Sequence, residues 1–508
     1  MSAKRFYAAA DRTANFKLHP NGNAPQQDKP DQRTEADLNP TELFLLKTSP
    51  TDYGNALCVQ KLAGGRFAIN EALGLMVYDG KRWTTQKAEA LLSEEIVKTL
   101  KRRAYLAIEF EKGELLKKSA LNNSNISACK TRFKELPDLY VPVDCFDAHP
   151  NLLNCTNGTV DLHTGAVYPH DPKNYITHLI DYEYKPDKSQ TAWLAFLSTV
   201  IGGYQDFTIA NYVKMLAGYS ATGETREEII IYLYGKQGRN GKGVFVDVIQ
   251  ALLGSYATGC EFNTLTRRRD GGDQGFDIAG LRGSRWVVTS ESGKEDKLNE
   301  AAVKHLTGRD TLQVAKKNKD PFSFKPTFKI WALSNHEPRG DVDDDAFWNR
   351  LKIITFPYSF AGREDKTLRD RLMSKDVLEG VLAWIVEGAV AWYATGGKGL
   401  QTPDQIKQKI QDTRDAQDSV RSWIKADCVT GEAAGFYATE ILHKAYEQWC
   451  DENERDDVKT LRVLGKRLSE MSFEQKRIKL NPRADKWVRG FVGIRPKTPF
   501  ERGDFKES

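Results

Sequence analysis

The arrangement of apolar and polar positions predicts a strand, a glycine-rich turn and a helix in succession between residues 229 and 253. Residues 229–234 form an uninterrupted apolar run rich in β-branched and aromatic side chains, which is typical of a buried strand. Glycines then interrupt the chain. Beyond them, apolar side chains recur at helical spacing until Gly254: Val244, Val248, Ile249, Leu252 and Leu253.

Three more apolar runs predict strands that follow this helix. They cover residues 285–291, 328–333 and 351–356, and each ends or begins beside a polar side chain. Because strands alternate here with segments of helical spacing, we expect an α/β fold for the middle of the chain.

Changes in the pattern divide the chain into four parts. Residues 1–42 contain Pro, Asn, Gln and Asp with few large apolar side chains, which predicts a flexible tail. Residues 43–190 mix short strands, turns and a long basic helix, and indicate a mixed α/β domain. Residues 191–395 hold the α/β core. Residues 396–508 begin with a charged connector helix, and the helices and short β-ribbon that follow suggest a winged helix.

Composition narrows the class of protein. The 508 residues carry a net charge of +5, which permits a nucleic-acid partner without requiring one. The seven cysteines include no C-x-x-C pair, so neither a structural zinc site nor a disulfide framework is expected. The apolar segment 380–392 is too short to span a bilayer, and no signal peptide opens the chain. We therefore expect a soluble protein in the cytoplasm, without a membrane partner.

The glycine-rich turn has the chemistry of a phosphate-binding loop. Its glycines let backbone N–H groups converge on an anion, and Lys242 stands at the helix N-terminus, where the helix dipole favours phosphate. The candidate nucleotide-binding residues are Gly235, Gly238, Arg239, Asn240, Gly241, Lys242, Gly243 and Val244.

This loop departs twice from the usual G-x-x-x-x-G-K-[ST] pattern. The first glycine position falls on Lys236, and Gly243 replaces the Ser or Thr whose hydroxyl binds Mg²⁺. A plain glycine-rich connection with a solvated lysine is the alternative interpretation of the loop.

Polar residues at the ends of the other predicted strands are candidates for the catalytic roles. Glu291 could hold Mg²⁺ and polarise the attacking water, and Asn335 could orient that water and sense the γ-phosphate. Arg350 could reach the nucleotide of a neighbouring subunit as an arginine finger. Each has an ordinary alternative: a lone acid after a strand, a turn-capping amide and a surface charge.

Basic residues mark two candidate DNA contacts. Lys316, Lys317 and Lys319 lie at the tip of a predicted hairpin, and either bind nucleic-acid phosphates or form an exposed turn. The basic residues of the C-terminal helices and ribbon either contact duplex DNA or form a solvated surface: Lys466, Arg467, Lys476, Arg477, Lys479 and Arg483.

Two further stretches carry a resemblance to a known family. The segments 65–83 (GRFAINEALGLMVYDGKRW) and 157–177 (N-G-x-x-D-L-x-T-G, then P-H-D-P and Y-I-T) resemble the D5-type amino-terminal domain of P4-family phage and plasmid primase-helicases. Residues 299–317 are similar to that family's K-x-L-T-G-x-D signature, with Lys304, Gly308 and Asp310 in place. Lys316 or a neighbour stands where the family has an arginine, a mild departure.

The resemblance implies a superfamily 3 helicase: an AAA+-like P-loop NTPase core behind a D5-like domain. It also implies ATP and Mg²⁺ as cofactors, a hexameric ring, movement 3′→5′ on single-stranded and forked DNA, and a hairpin that lines the ring's pore. Such a motor serves replication of a phage, plasmid or integrated element.

Two other functions remain open on the sequence. The chain could be the helicase part of a primase-helicase, although only the flexible tail lies upstream of the D5-like part, so we expect any primase or polymerase to be a separate protein. It could also be an origin-binding replication protein that uses nucleotide as a switch.

Overall fold

The structure, a computed structural model, describes residues 33–202, 207–265, 278–290, 297–314, 322–455, 457–479 and 487–502. These residues form two compact units. The smaller contains residues up to 64 together with 92–136, and the larger contains residues 65–91 and everything from 137 onwards.

The smaller unit is helical. Its helices are α1 (Pro40–Lys47), α2 (Asp52–Ala63), the part of α3 (Ala88–Glu109) from Leu92 onwards, α4 (Gly113–Lys118) and α5 (Asn123–Lys134). Asn39 caps α1 by accepting hydrogen bonds from the N–H groups of Thr41 and Glu42, and Leu38 is buried in the unit's core. Folded structure therefore begins before residue 43, within the segment predicted to be a tail. Residues 1–32 of that segment lie outside the described residues.

Two small antiparallel sheets open the larger unit. The first contains β1 (Phe67–Asn70), β2 (Gly74–Tyr78) and β3 (Trp83–Thr84), and the second contains β4 (Leu152–Cys155), β5 (Gly158–Asp161) and β6 (Ala166–Tyr168). The dipeptides Asp79-Gly80 and Asn157-Gly158, which are typical of hairpin turns, lie in the turns that join β2 to β3 and β4 to β5.

The second of these sheets shares a core with the elements that follow it. Leu153 and Val160 belong to the same buried cluster as Trp193 and Phe245. The predicted boundary near residue 190 therefore does not separate two compact units, because this apolar core is continuous across it.

A five-stranded parallel sheet forms the centre of the larger unit. Its strands are β7 (Ile230–Tyr234), β8 (Ala257–Gly259), β9 (Trp286–Ser290), β12 (Lys329–Ser334) and β13 (Leu351–Thr355), in the spatial order β13-β7-β12-β9-β8. Between β9 and β12 in sequence, β10 (Leu312–Val314) and β11 (Phe322–Phe324) form an antiparallel ribbon. The chain thus has a mixed α/β fold, as predicted, and parallel pairing places the carboxyl ends of the five strands at one edge of the sheet.

Helices cover this sheet. They are α6 (Thr191–Ile201), α7 (Thr208–Ala221), α8 (Lys242–Leu253), α9 (Glu300–Thr307), α10 (Asp345–Arg350), α11 (Leu368–Leu372) and α12 (Lys375–Tyr393). Two buried clusters contain the sheet's apolar side chains, and in one of them Trp286 and Trp331 stack with ring centroids 4.1 Å apart.

Helices and short strands alternate in the C-terminal part. Its elements are α13 (Asp404–Gln417), α14 (Ser419–Asp427), β14 (Cys428–Thr430), β15 (Phe436–Ala438), α15 (Thr439–Glu452), α16 (Leu461–Glu470), β16 (Glu474–Ile478), β17 (Val488–Val492), β18 (Ile494–Pro496) and α17 (Pro499–Arg502). The predicted helices and terminal strand are present. Trp423, Tyr446, Leu464 and Phe491 form their core.

In the part of the chain that the structure describes, we find no helix whose length and apolar character would allow it to cross a membrane.

We expect α7 and α12 to tolerate no side chain where their backbones meet. A Cβ atom at Gly218 would lie 2.1 Å from the backbone N of Ala389, and one at Gly388 would lie 2.2 Å from the carbonyl oxygen of Lys214. Gly218→Ala should therefore force the helices apart, cost about 1–3 kcal/mol of folding free energy and lower the melting temperature by several degrees.

The control is Gly465→Ala in α16, another buried helical glycine. A Cβ there would make only ordinary contacts, 3.8 Å from Thr439 and 3.9 Å from Phe491. This variant should melt at or above the parent's temperature because alanine favours helix. Equal melting of both variants would contradict the close contact between α7 and α12.

Candidate functional site

The turn between β7 and α8 is shaped by glycine at its last position. Gly241 has φ +86° and precedes the first helical residue, Lys242. A Cβ at Gly241 would lie 2.5 Å from Val200 Cγ1, so a larger residue has neither the conformation nor the space. The N–H of Lys242 donates to Asn240 Oδ1 at 3.4 Å. Because Gly241 offers no side-chain oxygen to cap the helix, the N–H groups that follow in the first turn of α8 are left for an incoming anion.

Lys242 lies at the centre of this site and is buried. Its ammonium Nζ donates to the carbonyl oxygen of Gly235 at 3.1 Å and to Asn335 Oδ1 at 2.9 Å. Burial lowers the pKa of Lys242 to about 8, since a charged amine is less stable away from water. The site therefore holds a cation with poor solvation, which an anion would stabilise.

Parallel strand pairing brings Gly235 and Asn335 together. Tyr234 ends β7 and is paired in register with Ser334, which ends β12. Gly235 N then donates to Ser334 O at 3.3 Å, so the residues after both strands start side by side. The predicted loop and the predicted sensor amide thus share one site, although they are separated by almost one hundred residues.

Asn240 fixes the shape of the loop from inside. This buried side chain donates from Nδ2 to the carbonyl oxygens of Gln237 at 2.6 Å and Gly235 at 3.3 Å. A Cβ atom at Gly235 would lie 2.1 Å from that Nδ2 and 3.0 Å from Lys242 Nζ. At position 235 the side chains of Asn240 and Lys242 come so close to the backbone that only glycine fits. Gly235 therefore takes the place of the first glycine of the usual pattern, although it lies one residue earlier.

A segment that sequence reasoning missed covers the outer part of the loop. Ser359 Oγ donates to Gly238 O at 3.1 Å, and Phe360 N donates to Arg239 O at 2.9 Å. The Arg239 guanidinium also forms an ion pair with Glu364. No local motif could have identified these contacts, because more than one hundred residues separate the partners.

The remaining loop positions differ in exposure. Gly243 is exposed, and a Cβ there would meet nothing within 4 Å, whereas Val244 packs against the apolar core. Gly243 supplies no side-chain ligand for Mg²⁺, and the open space beside it leaves room for an ion that keeps several of its waters.

Arg350 lies at the end of the sheet where the parallel strands begin, opposite the end that holds the phosphate-binding loop. It ends α10 and precedes Leu351, which is paired in register with Ile230 at the start of β7. Its Nη2 contacts Glu228 Oε2 at 2.8 Å. The five residues of β7 span about 16 Å, so Arg350 is remote from the loop of its own chain.

Five of the predicted catalytic and DNA-contact residues lie outside the described residues: Glu291, Lys316, Lys317, Lys319 and Arg483. The elements beside them are described. β9 ends at Ser290, next to Leu333 of β12, and β10 and β11 form the ribbon predicted on either side of the lysines. In the segment that is similar to the K-x-L-T-G-x-D signature, Lys304 forms an ion pair with Asp344 at 2.5 Å.

Among the described residues, no group of three or more His, Cys, Asp or Glu side chains could hold a metal ion. A cleft of about 1040 Å³ opens elsewhere in the larger unit, between residues 140–150 and 323–327. Four carboxylates and three cations line it (Glu71, Asp144, Asp147, Glu224, Arg282, Arg309 and Lys325), so its charge does not favour a polyanion. The loop around Lys242 is the better phosphate site in spite of that cleft's size.

Two protein families match parts of the chain. The family described as "D5 N terminal like" matches residues 56–202, and a family of unknown function (DUF5906) matches residues 233–350. The first match contains both stretches that resemble the D5-type domain, and the second contains Lys242, Asn335 and Arg350.

Relatives among curated proteins are named as viral helicases. The chain is 28% identical over 226 residues to "Putative helicase L207/L206" of Acanthamoeba polyphaga mimivirus, a match that covers 44% of this chain and 23% of that protein. It is 27% identical over 210 residues to "Putative helicase 022R" of Frog virus 3 (isolate Goorha), covering 40% and 20%. The matches thus span about a fifth to a quarter of these relatives.

A solved structure, "The A form apo structure of NrS-1 C terminal region-CTR", is similar over 86% of this chain and 98% of that chain, with 13% identity and a TM-score of 0.47. Residues 56–202 are therefore similar to the amino-terminal domain of the D5 type, and the viral relatives that match parts of this chain carry helicase names.

Proposed function

We propose that this chain is an ATP-driven, ring-forming DNA helicase of superfamily 3, with a P-loop NTPase core, that serves replication of a mobile element or virus. The observation that carries the proposal is the buried Lys242 ammonium at the N-terminus of α8, held between the carboxyl ends of β7 and β12. The helicase names of the relatives support a motor function for this site.

Phosphate binding would change the partners of Lys242. An ATP phosphate at the start of α8 competes with Asn335 Oδ1 for the ammonium, because a charge-assisted bond to an anion is stronger than one to a neutral amide. The released Asn335 oxygen can then accept a hydrogen bond from the attacking water and orient it. Glu291, directly after β9, is the candidate ligand of Mg²⁺, which supplies charge neutralisation on the phosphates when bound.

Arg350 acts on a neighbouring subunit in this proposal. Because it lies about 16 Å of strand away from its own loop, it can serve a nucleotide only across an interface between chains. This requirement supports a ring, for which we propose six subunits.

Two regions are proposed to contact DNA. Lys316, Lys317 and Lys319, in the connection between β10 and β11, bind the single strand in the pore, and the motor moves 3′→5′. The C-terminal part is proposed to act as a winged helix on the duplex of a fork, through exposed side chains of β16 and β17 such as Arg477 and Arg489. Arg467 is unsuited to that role because Asp418 and Asp343 hold it, at 2.7 and 2.6 Å.

A nucleotide-switched origin-binding protein is the second candidate, and the same C-terminal helices and ribbon favour it. Turnover separates the two functions. A motor hydrolyses ATP faster when single-stranded DNA is present, whereas a switch turns over slowly with or without DNA.

Lys242→Ala and Arg350→Ala should each lower the rate of strand displacement on forked DNA by at least about a hundredfold, because each removes a charge that stabilises the transferred phosphoryl group. Gel-based unwinding with ATP measures this rate. A mixture of the two variants should regain part of the ATPase activity, since Lys242 of an Arg350→Ala chain can then meet Arg350 of its neighbour.

Unwinding by either variant at the parent's rate would contradict the assignment. The absence of any recovery in the mixture would contradict the role of Arg350 across the interface.

Gly235→Ala should weaken binding of a fluorescent ATP analogue about tenfold or more, because its Cβ would displace Asn240 and Lys242 from their positions. Gly238→Ala is the matched control, since a Cβ at Gly238 would meet nothing within 4 Å. Equal affinity of the two variants would mean that nucleotide does not use the loop geometry described above.

A further inference from the structure

The segment between Asn335 and Arg350 is held by the connector helix α13. We call residues 335–344, which join β12 to α10, the sensor strap. It links the two residues that the proposed function assigns to sensing and to the arginine finger. Whatever fixes the strap therefore fixes the positions of both.

One face of α13 makes polar contacts along the strap. The Lys409 ammonium forms an ion pair with Glu337, and the Gln417 side chain donates to Pro338 O at 2.7 Å and accepts from Gly340 N at 3.1 Å. Arg414 donates from Nε to Val342 O at 2.7 Å and contacts Asp345 Oδ1, at the start of α10, at 2.6 Å.

Three consecutive carboxylates, the last two of the strap and the first of α10, each contact a different element. Asp343 contacts Arg467 of α16 at 2.6 Å, Asp344 contacts Lys304 of α9 at 2.5 Å, and Asp345 contacts Arg414 of α13. Asp344 also caps α10 by accepting from Phe347 N at 3.0 Å. The Asp-Asp-Asp run is therefore a junction of three elements at the beginning of the helix that ends in Arg350.

The C-terminal helices are bound to the far end of α13. Arg455 donates to the carbonyl oxygens of Ala416 and Gln417, at 3.1 and 3.0 Å. At its other end, α13 is anchored by the buried Ile406. The C-terminal helices are thus joined to α13, and through Lys409, Gln417 and Arg414 to the strap.

We propose that α13 is a positioning helix for nucleotide turnover: Lys409, Arg414 and Gln417 hold the sensor strap so that Asn335 and Arg350 stand where catalysis needs them. The inference rests on the proposed function, because it assigns roles relative to Asn335 and Arg350.

The test is steady-state ATP hydrolysis by the full chain carrying Arg414→Ala. The control is Lys407→Ala, which removes the same charge from the same helix; among the described residues, this lysine pairs only with Asp404 on α13 itself. Arg414→Ala should lower kcat about tenfold and change KM for ATP less than twofold, whereas Lys407→Ala should leave both unchanged. Arg414→Lys, which keeps the charge, should recover most of kcat.

Arg350→Ala completes the experiment. Arg414 contacts Val342 and Asp345, which lie at and beside the start of α10, so we assign its share of the positioning to Arg350. Adding Arg414→Ala to Arg350→Ala should therefore cause no further loss of kcat. Multiplying losses, or a rise in KM with kcat preserved, would show a merely structural role and overturn the inference while the proposed function stands. Arg414→Ala activity equal to that of Lys407→Ala would also overturn it. An Arg350→Ala chain as active as the parent would remove the proposed role of Arg350, and the inference with it.

Discussion

The contact of the Lys242 ammonium with Gly235 O and Asn335 Oδ1 is the interaction on which the rest of this structure depends. It requires a helix that begins directly after a positive-φ glycine, and two neighbouring strands that end in register. It also requires burial, which lowers the pKa of the lysine to about 8. Each requirement places a cation where an anion can replace a neutral partner, and this is what a nucleotide site needs.

Strand β12 of the parallel sheet connects the Lys242 site to the segment that carries Arg350. β12 ends at the site, and the segment after it leads to α10 and to Arg350, which lies where the parallel strands begin. Helix α13 packs beside that segment and forms ion pairs with Glu337 and Asp345. The nucleotide loop, the proposed arginine finger and the C-terminal helices are therefore joined by one continuous set of contacts.

Local patterns predicted the elements well, and the contacts between them poorly. The strand, loop and helix around Lys242 followed from apolar spacing and glycine positions, and Asn335 followed from its place after a strand. The contact between them depends on the register of β7 and β12, which no single-chain pattern encodes. The same reason hid Ser359, Glu364 and Arg414, whose partners lie about 70 to 125 residues away. Arg467 was predicted as a possible DNA contact because a basic run does not reveal which of its members has an acidic partner.

The affinity for an ATP analogue at pH 7 and pH 9, measured by calorimetry for the parent and for Lys242→Ala, tests the central claim most directly. Binding of phosphate needs the charged ammonium, and a pKa of about 8 in the free protein means that most of this charge is lost by pH 9. The parent should bind about tenfold more weakly at pH 9 than at pH 7, and the variant should bind weakly at both. Equal affinity of parent and variant, or a parent affinity that does not fall with pH, would contradict the account.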